Sequence, residues 1–568
     1  MKHVNNNLFK RLLCMAMILV MLLSLVACGE SSTDTNSTTQ STAPATQPTT
    51  ESTAPSETTQ PTESTQPEPE TNELFFELTQ EDVDAYYAYL TDCETLSIAG
   101  EDMDAIEAAS EVLDEAYEYL FEQRSIAMIQ HYTHTKDEAL EKQYLDCVEI
   151  CTDAYDAYIQ MARRVYLSDS PAKDMLFEGW TEQDIQDLLN YDEQVAQLQQ
   201  RNSEIEVEYR ASNDDNVKIP LYIELVQNNN QIAQIYGYDN YYVYAYERVY
   251  ERDYTPDTLI QMRQHAKFYL TSCFTTAYSN FEKSFYSGLE YIDQLGIQDF
   301  LYRAYDALGR NYVELYLNSV PEEMRDVMYR MLEVDSLFTN AFDSMEGAFT
   351  TTIGDRSYCY YGPGYASTNT VLHEAGHYFA SRYTDLNAIP LDLAETHSQG
   401  NEWLFAKFLG ENMSAKRYGA LLDYMLYEDI AMILICLMVD EFEQFVYTTD
   451  VTNFTARDFD AIMNRVTAEY FPGVNVSETL ADMNSYWRAV VVDQPVYYVS
   501  YAVSSVAAMS LFTMAQEDYD AAMAAYMKLC MEPLEDAGFL GNIQAAGLYS
   551  PFDESFYQQL KQLLEERG

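Results

Sequence analysis

The hydrophobic and polar positions divide the chain into three stretches. A short apolar run, residues 12–26, follows an N-terminal segment that carries only basic charges. The next stretch, residues 30–72, consists mainly of Ser, Thr, Pro, Gln and Glu and has no aromatic or large aliphatic residue. Such a composition cannot bury enough apolar surface to fold. Residues 73–568 are rich in Leu, Ile, Met, Tyr and Phe, so we expect this part of the chain to form a core.

Within residues 73–568 the pattern is typical of helices. Thr79 and Thr181 are each followed by acidic residues, as in helix N-caps. Three long stretches contain no proline: 102–131, 136–166 and 181–209. The best strand candidate is 356–361, which ends at a Gly-Pro-Gly sequence. No second linker and no internal repeat interrupts this part, so the sequence predicts a mostly all-α fold class.

The strongest candidate for chemistry is the sequence His373-Glu374-Ala375-Gly376-His377, inside a predicted helix. Side chains four residues apart lie about 40° apart on one helix face, so both imidazoles can reach one Zn²⁺. Glu374 would then stand beside the metal and accept a proton from its bound water. The chain has only seven histidines. A helical histidine pair without a metal is the alternative interpretation.

A catalytic zinc site also needs a third protein ligand and an open position for water. Glu395 and Glu402 are seven residues apart, which places them on one helix face. Glu395 is the candidate third ligand, and Glu402 is the candidate partner for the second nitrogen of a ligand imidazole. Taken alone, Glu402 also fits an ordinary solvated acid. His397 competes as a ligand, but it lies about 200° around the helix from Glu395.

These residues resemble the thimet oligopeptidase and oligoendopeptidase F family of zinc metallopeptidases. The motif is followed by the run from Asp392 to Trp403, which reads D-x-x-E-x-x-S-Q-x-x-E-W as it does in that family. Three further segments are similar to the family: 220–242, 345–352 and 495–502. The resemblance extends over roughly residues 200–540, and over residues 75–200 only the helical character matches.

The resemblance implies a role for each matching residue. The implied ligands of one Zn²⁺ per chain are His373, His377 and Glu395. Glu374 would act as general base and then as proton donor to the leaving amine. Tyr498 and Tyr501 would donate hydroxyl hydrogen bonds to the oxyanion of the tetrahedral intermediate. The family usually carries a histidine shortly before these tyrosines, and this chain has none after His397.

The resemblance also implies an architecture, with two helical lobes around a deep central cleft and a short β-sheet at the cleft edge. In that family the region matching 356–361 lines the cleft, and a peptide can add to it as an extra strand. We therefore expect a monomeric zinc endopeptidase for short or unfolded peptides. Residues from about 73 to 200 would form an N-terminal helical part, and residues from about 200 to 568 the catalytic part.

The N-terminal residues indicate export. Residues 1–27 are typical of a lipoprotein signal peptide, because a basic start and an apolar run end in Leu25-Val26-Ala27-Cys28. Cys28 would be lipidated and become the new N-terminus, and residues 28–72 would form a disordered stalk. The alternative is an uncleaved anchor, although about 15 apolar residues are short for a span of about 20. Either way we expect a membrane-anchored protein that faces the extracellular side.

The charge and the remaining alternatives complete this interpretation. A formal net charge of −60 argues against nucleic acid or an anionic membrane surface as a partner. Two other functions stay open. One is a carboxypeptidase on the same scaffold. The other is a catalytically weak peptide-binding lipoprotein, which the missing histidine would favour.

Overall fold

The computed structural model describes residues 74–567 apart from 191–192, 211, 299, 302–304, 387–388, 473–486, 493 and 535–536. The predicted signal peptide, the candidate lipidation site Cys28 and the stalk lie outside the described residues. Within the described residues, no helix is both long enough and apolar enough to cross a bilayer.

The described chain is mostly α-helical, which confirms the fold class expected from the sequence. The helices before the sheet are α1 Gln80–Ala99, α2 Met103–Thr133, α3 Glu138–Leu167, α4 Lys173–Leu176, α5 Glu182–Asn190, α6 Glu193–Arg210, α7 Asp215–Ile235, α8 Tyr241–Tyr244, α9 Pro256–His265, α10 Thr271–Phe281, α11 Tyr291–Gln298, α12 Ala307–Leu317 and α13 Glu322–Arg330. The helices after the sheet are α14 Thr368–Ser381, α15 Leu391–Asn412, α16 Ala415–Tyr447, α17 Ala456–Tyr470, α18 Val499–Glu517, α19 Tyr519–Met531, α20 Gly538–Ala545 and α21 Glu554–Arg567. Several helices continue into single π-helical turns at Ala245–Val249, Ala266–Leu270, Glu282–Tyr286 and Met331–Asp335.

The helix starts follow the local sequence. At α1 the Thr79 backbone N–H donates to the Asp82 carboxylate at 2.9 Å, and the Asp82 N–H donates back to the Thr79 hydroxyl. At α5 the Asp184 N–H donates to the Thr181 hydroxyl at 3.1 Å, and the Thr181 N–H donates to the Asp184 carboxylate. Each pair satisfies backbone donors that a helix start leaves without partners. Both predicted N-caps are therefore confirmed.

A three-stranded sheet lies among the helices. Its strands are β1 Ser336–Phe338, β2 Ala348–Ile353 and β3 Arg356–Tyr361, in the order β1-β3-β2. The sequence predicted β3, but it did not predict that this strand is central. β2 pairs with it antiparallel along its whole length and β1 pairs in parallel with residues 359–361, so an added peptide strand cannot pair with that half of β3. The outer strands of the sheet are β1 and β2.

Two large hydrophobic clusters fill the body. The smaller one lies among α1 to α5, between Val83 and Leu188. The larger one extends from Val195 to Leu564 and holds α14, α15, α16 and α18 together. A third, small cluster joins α2 and α3 to the sheet through Tyr132, Phe349 and Tyr360. The helical N-terminal part thus has its own core and meets the rest of the protein at the sheet.

α14 lies against the sheet on one side and against α15 on the other, and α15 packs in turn on α18. Gly376 allows the close approach of α14 and α15. A Cβ atom at this position would lie 2.4 Å from the His397 carbonyl oxygen, well inside the contact distance. Glycine is therefore required at this position of the motif by packing.

A buried ion pair joins α9 to α16. The Arg263 guanidinium contacts the Asp440 carboxylate, and both side chains are buried. The hydroxyls of Tyr242 and Tyr246 also donate to Asp440, at 3.0 and 2.8 Å. The tyrosines and the guanidinium together satisfy a carboxylate that would otherwise be costly to bury.

We expect Asp440→Ala to lower the free energy of unfolding by about 3–5 kcal/mol, because it leaves the Arg263 guanidinium buried without a counter-charge. Urea unfolding followed by tryptophan fluorescence measures the change. Asp326→Ala is the matched control, since it removes an exposed ion pair with Arg325 and should cost about 1 kcal/mol or less. An equal decrease in the free energy of unfolding in the two variants would contradict the prediction.

Candidate metal centre

α14 carries both histidines of the motif. The helix begins after Ser367, whose hydroxyl accepts the Thr370 backbone N–H at 3.0 Å. His373 and His377 follow on one face, with ring centroids 5.1 Å apart. The spacing of four residues therefore brings both imidazoles to one side of the helix, as the sequence predicted.

Glu395 of α15 stands opposite this pair. Its Oε2 atom is 3.6 Å from the Nε2 atom of His373 and 3.6 Å from the Nε2 atom of His377. Tetrahedral ligands with bonds of about 2.0–2.2 Å to zinc lie at this kind of separation from one another. Among the residues that the structure describes, this is the one group of three His, Cys, Asp or Glu side chains with such a geometry. The donor set fits a zinc ion.

Glu402 holds the first histidine. Its Oε1 atom is 2.6 Å from His373 Nδ1, and its Oε2 atom accepts from the Asn369 side-chain amide at 2.5 Å. The arrangement directs Nε2 of His373 towards Glu395. Burial acts to lower the pKa of His373, but the hydrogen bond with Glu402 and nearby carboxylates outweigh it and raise that pKa to about 9. Glu402 is not a solvated acid, because only 15% of its side chain is exposed.

Glu374 is buried beside the histidines. Its Oε2 atom accepts the Thr350 hydroxyl of β2 at 2.7 Å. Burial raises the pKa of Glu374 to about 7, although His373 and Thr350 act in the opposite direction. A carboxylate with a pKa near neutrality is suited to accept and return a proton. Thr350 was not among the candidate site residues, because only the pairing of β2 with β3 places it here.

The tyrosine that contacts the centre is one the sequence interpretation missed. The Tyr497 hydroxyl donates to Glu395 Oε1 at 3.1 Å, and it lies 3.3 Å from the Tyr501 hydroxyl. Tyr498, the predicted partner of Tyr501, is buried and packs edge-on against the Tyr497 ring at 5.9 Å between centroids. The i,i+4 spacing of Tyr497 and Tyr501 was the available signal.

His397 does not join the group. Its ring is fully buried, and Nε2 lies 3.1 Å from the Leu529 carbonyl oxygen, to which it donates. The rotation of α15 turns this residue away from Glu395, as the helical spacing predicted. The Ser398 hydroxyl instead donates to Glu395 Oε2 at 3.1 Å. The competing ligand considered from the sequence is thereby excluded.

No protein-family model matches the chain, and no curated protein matches its sequence. Solved structures do match. PZ peptidase A, solved with an inhibitor, has a TM-score of 0.68 at 16% identity, and the match covers 86% of this chain and 98% of the other. A protein assigned as oligoendopeptidase F gives 0.67 at 18% identity, over 86% of this chain and 97% of the other. A third structure, from Bacillus anthracis and also assigned as oligoendopeptidase F, has a TM-score of 0.64 at 16% identity. That match covers 87% of this chain and 96% of the other.

The chain has the oligoendopeptidase fold. The match extends over nearly the whole length of these peptidases, so the described helices and the small sheet form one architecture with theirs. The expected resemblance is confirmed at this level, and with it the expected fold class of a helical peptidase body. The identities below one fifth leave the assignment of individual residues to the geometry of this chain.

We expect Glu402→Ala to weaken zinc binding by about 10–100-fold, because His373 loses the partner that fixes its orientation. Competition with a chromophoric zinc chelator measures the affinity. Glu411→Ala is the matched control, since Glu411 is an exposed acid on the same helix and should leave the affinity unchanged. If Glu402→Ala binds zinc as the control does, the assigned role of Glu402 is wrong.

Proposed function

We propose that this protein is a zinc-dependent oligopeptidase that hydrolyses internal bonds of short peptides. One observation carries the proposal. A buried glutamate with a pKa near neutrality, Glu374, lies next to a group of two imidazoles and one carboxylate with zinc-ligand geometry. The oligoendopeptidase fold supports it, since the matched structures carry the names of peptidases.

His373, His377 and Glu395 would hold the metal. When bound, zinc supplies Lewis acidity, which polarises a carbonyl group and makes water acidic near neutral pH. Glu374 takes the proton from the attacking water at its carboxylate and then delivers it to the leaving amine. Thr350 keeps that carboxylate in place through its hydrogen bond to Oε2.

The tyrosines supply hydrogen-bond donors beside the ligands. Tyr497 holds Glu395 through its hydroxyl, and the Tyr501 hydroxyl lies next to it. We assign Tyr501 the role of donor to the developing oxyanion, as the sequence suggested. One such donor is typically worth about 2.7–4 kcal/mol of transition-state stabilisation. The role of Tyr498 stays a prediction from the sequence.

We infer a candidate peptide-binding cavity beside the tyrosine segment, and its lining residues are distinct from those of the metal centre. It has a volume of about 480 Å³ and lies between α3, α6 and α7, with Pro495 in its wall. Its lining includes the acids Glu149, Asp153 and Asp156 and aromatic side chains such as Tyr241. Such a surface suits an extended peptide better than a folded protein, because it is recessed and partly apolar.

We expect Glu374→Gln to retain zinc and to lose about 10²–10⁴-fold in peptidase rate, since the amide cannot accept the water proton. The measurement uses the soluble part, residues 73–568, with short synthetic peptides and mass spectrometry. In the unmodified chain a chelator should abolish cleavage and added Zn²⁺ should restore it. A full rate in Glu374→Gln with bound zinc would disprove the assigned base.

The same digestion separates the alternatives. Internal fragments indicate an endopeptidase, and sequential loss of single C-terminal residues indicates a carboxypeptidase. Absence of cleavage by a chain that holds one zinc would favour the peptide-binding lipoprotein. The missing histidine before the tyrosines would then become the central difference from the family.

We also propose that the protein is a monomeric lipoprotein at the outer face of the cell membrane. The support is the sequence before Cys28 and the polar stretch 28–72. Cys28→Ser should abolish incorporation of labelled palmitate into the protein. Cys14→Ser is the matched control, because Cys14 lies within the signal sequence and should leave the incorporation unchanged. Incorporation of palmitate into Cys28→Ser would contradict a lipid at this residue.

A further inference from the structure

Two described residues have a strained backbone, and one of them, Val496, directly precedes Tyr497. Among the described residues, only Glu251 and Val496 combine a positive φ angle with a residue other than glycine, at 46° and 65°. Val496 is β-branched and fully buried, so this conformation is especially unfavourable for it. Strain of this kind persists only where the surroundings impose it, and it concentrates at functional sites.

Both backbone polar groups of Val496, its N–H and its carbonyl oxygen, are hydrogen-bonded to buried side chains. Its backbone N–H donates to Glu443 Oε1 of α16 at 2.8 Å. Its carbonyl oxygen accepts from the Arg252 guanidinium at 2.9 Å. The same nitrogen of Arg252 donates to the Ser500 hydroxyl at 2.9 Å, in the first turn of α18. Arg252 therefore ties the strained residue to the start of the helix that follows it.

Arg252 is itself fixed. Its side chain is buried, with the guanidinium 4.5 Å from the Tyr246 ring centroid and 4.4 Å from that of Tyr250. The Tyr250 hydroxyl donates to the Pro495 carbonyl at 2.8 Å, one residue before the strained turn. The Asp392 carboxylate, one turn before Glu395 on α15, acts electrostatically on the guanidinium. One arginine thus connects the ligand helix α15 with the segment that precedes α18.

This segment carries the tyrosine that contacts a candidate ligand. Tyr497 follows Val496 directly, and its hydroxyl reaches Glu395 Oε1 at 3.1 Å. A change of φ at Val496 would swing the Tyr497 side chain and alter where the first turn of α18 begins. The hydrogen bond to Glu395 therefore depends on the conformation that Arg252 and Glu443 impose.

We propose that Arg252 and Glu443 are positioning residues that hold a strained turn at Val496 and so aim Tyr497 at Glu395. The proposal rests on the proposed function for its catalytic consequence, but not for the geometry of the turn. We call these two residues and Val496 the Val496 clamp. Neither side chain contacts His373, His377 or Glu374, so the clamp acts through Tyr497.

The experiment compares Arg252→Met and Glu443→Met with Arg124→Met. Arg124 is the matched control, because it is a similarly buried arginine on α2 that packs on Phe121 and not on the clamp. Arg252→Lys and Glu443→Gln are the conservative variants, since each keeps a donor or an acceptor for Val496. All are studied as the soluble part of the chain, and only variants that show a cooperative unfolding transition are compared.

Three readouts are taken. Amide hydrogen exchange of peptides covering residues 494–501, in metal-depleted protein, reports the turn. The visible absorption bands of Co²⁺-loaded protein report the surroundings of the ligands. Values of kcat and KM for one peptide, with zinc content measured alongside, report catalysis.

We expect Arg252→Met and Glu443→Met to exchange this segment at least about tenfold faster than the control. The Co²⁺ bands should shift, and kcat should fall about tenfold or more with KM within about twofold and zinc content unchanged. Glu443→Gln and Arg252→Lys should recover part of each effect. Arg124→Met should leave all three readouts unchanged.

Unchanged exchange in both methionine variants would overturn the proposal. Faster exchange with unchanged Co²⁺ bands would also overturn it, because the turn would then have no influence on Glu395. An unmodified chain that binds metal but cleaves no peptide would count against the proposed function alone. The exchange and the Co²⁺ bands would still decide whether the clamp positions Tyr497.

Discussion

The candidate centre depends on the close contact between α14 and α15. Gly376 presents no side chain, so the backbone of α14 meets the His397 carbonyl of α15 directly. Only at this separation can Glu395 on one helix stand 3.6 Å from both imidazoles on the other. Metal sites tolerate deviations of about 0.2 Å in their bonds, so a wider spacing of the helices would break the ligand set.

Three carboxylates lie close together at the contact between α14 and α15. Glu374, Glu395 and Glu402 lie within one small region, and burial raises the pKa of the first two. Each acid is given polar neighbours: the Thr350 hydroxyl, the hydroxyls of Tyr497 and Ser398, and the Asn369 amide. Hydrogen bonds alone offset the cost of burying several carboxylates only in part. A divalent cation held by His373, His377 and Glu395 would supply a compensating positive charge.

Local pattern was enough for the parts of the site that lie on single helices. Helical geometry places the i,i+4 histidines on one face of α14. It also places Glu395 and Glu402, seven residues apart, on one face of α15, as the sequence predicted. The same helical geometry predicted that His397 points away from Glu395, as it does in the structure. The all-α class followed from long proline-free stretches, and the caps at Thr79 and Thr181 followed from their own neighbours.

Contacts between segments that are distant in the sequence could not be predicted from local pattern. The central position of β3 depends on β1, which pairs with it in parallel although β2 lies between the two strands in the sequence. Thr350 reaches Glu374 only through that sheet. Among three tyrosines in five residues, the one that meets Glu395 is selected by a backbone angle at Val496 that no residue pattern indicates, since valine rarely adopts it.

The residues of the Val496 clamp come from distant parts of the sequence, and this has a consequence for folding. Arg252 and Val496 are 244 residues apart along the chain, and Tyr497 and Glu395 are 102 apart. Contacts of such length form late, because the chain must close large loops before they contribute stability. A partly folded chain can hold the two histidines of α14 while Glu395 still lacks its tyrosine. The supported ligand set therefore exists only once the segment that begins α18 has docked against α15.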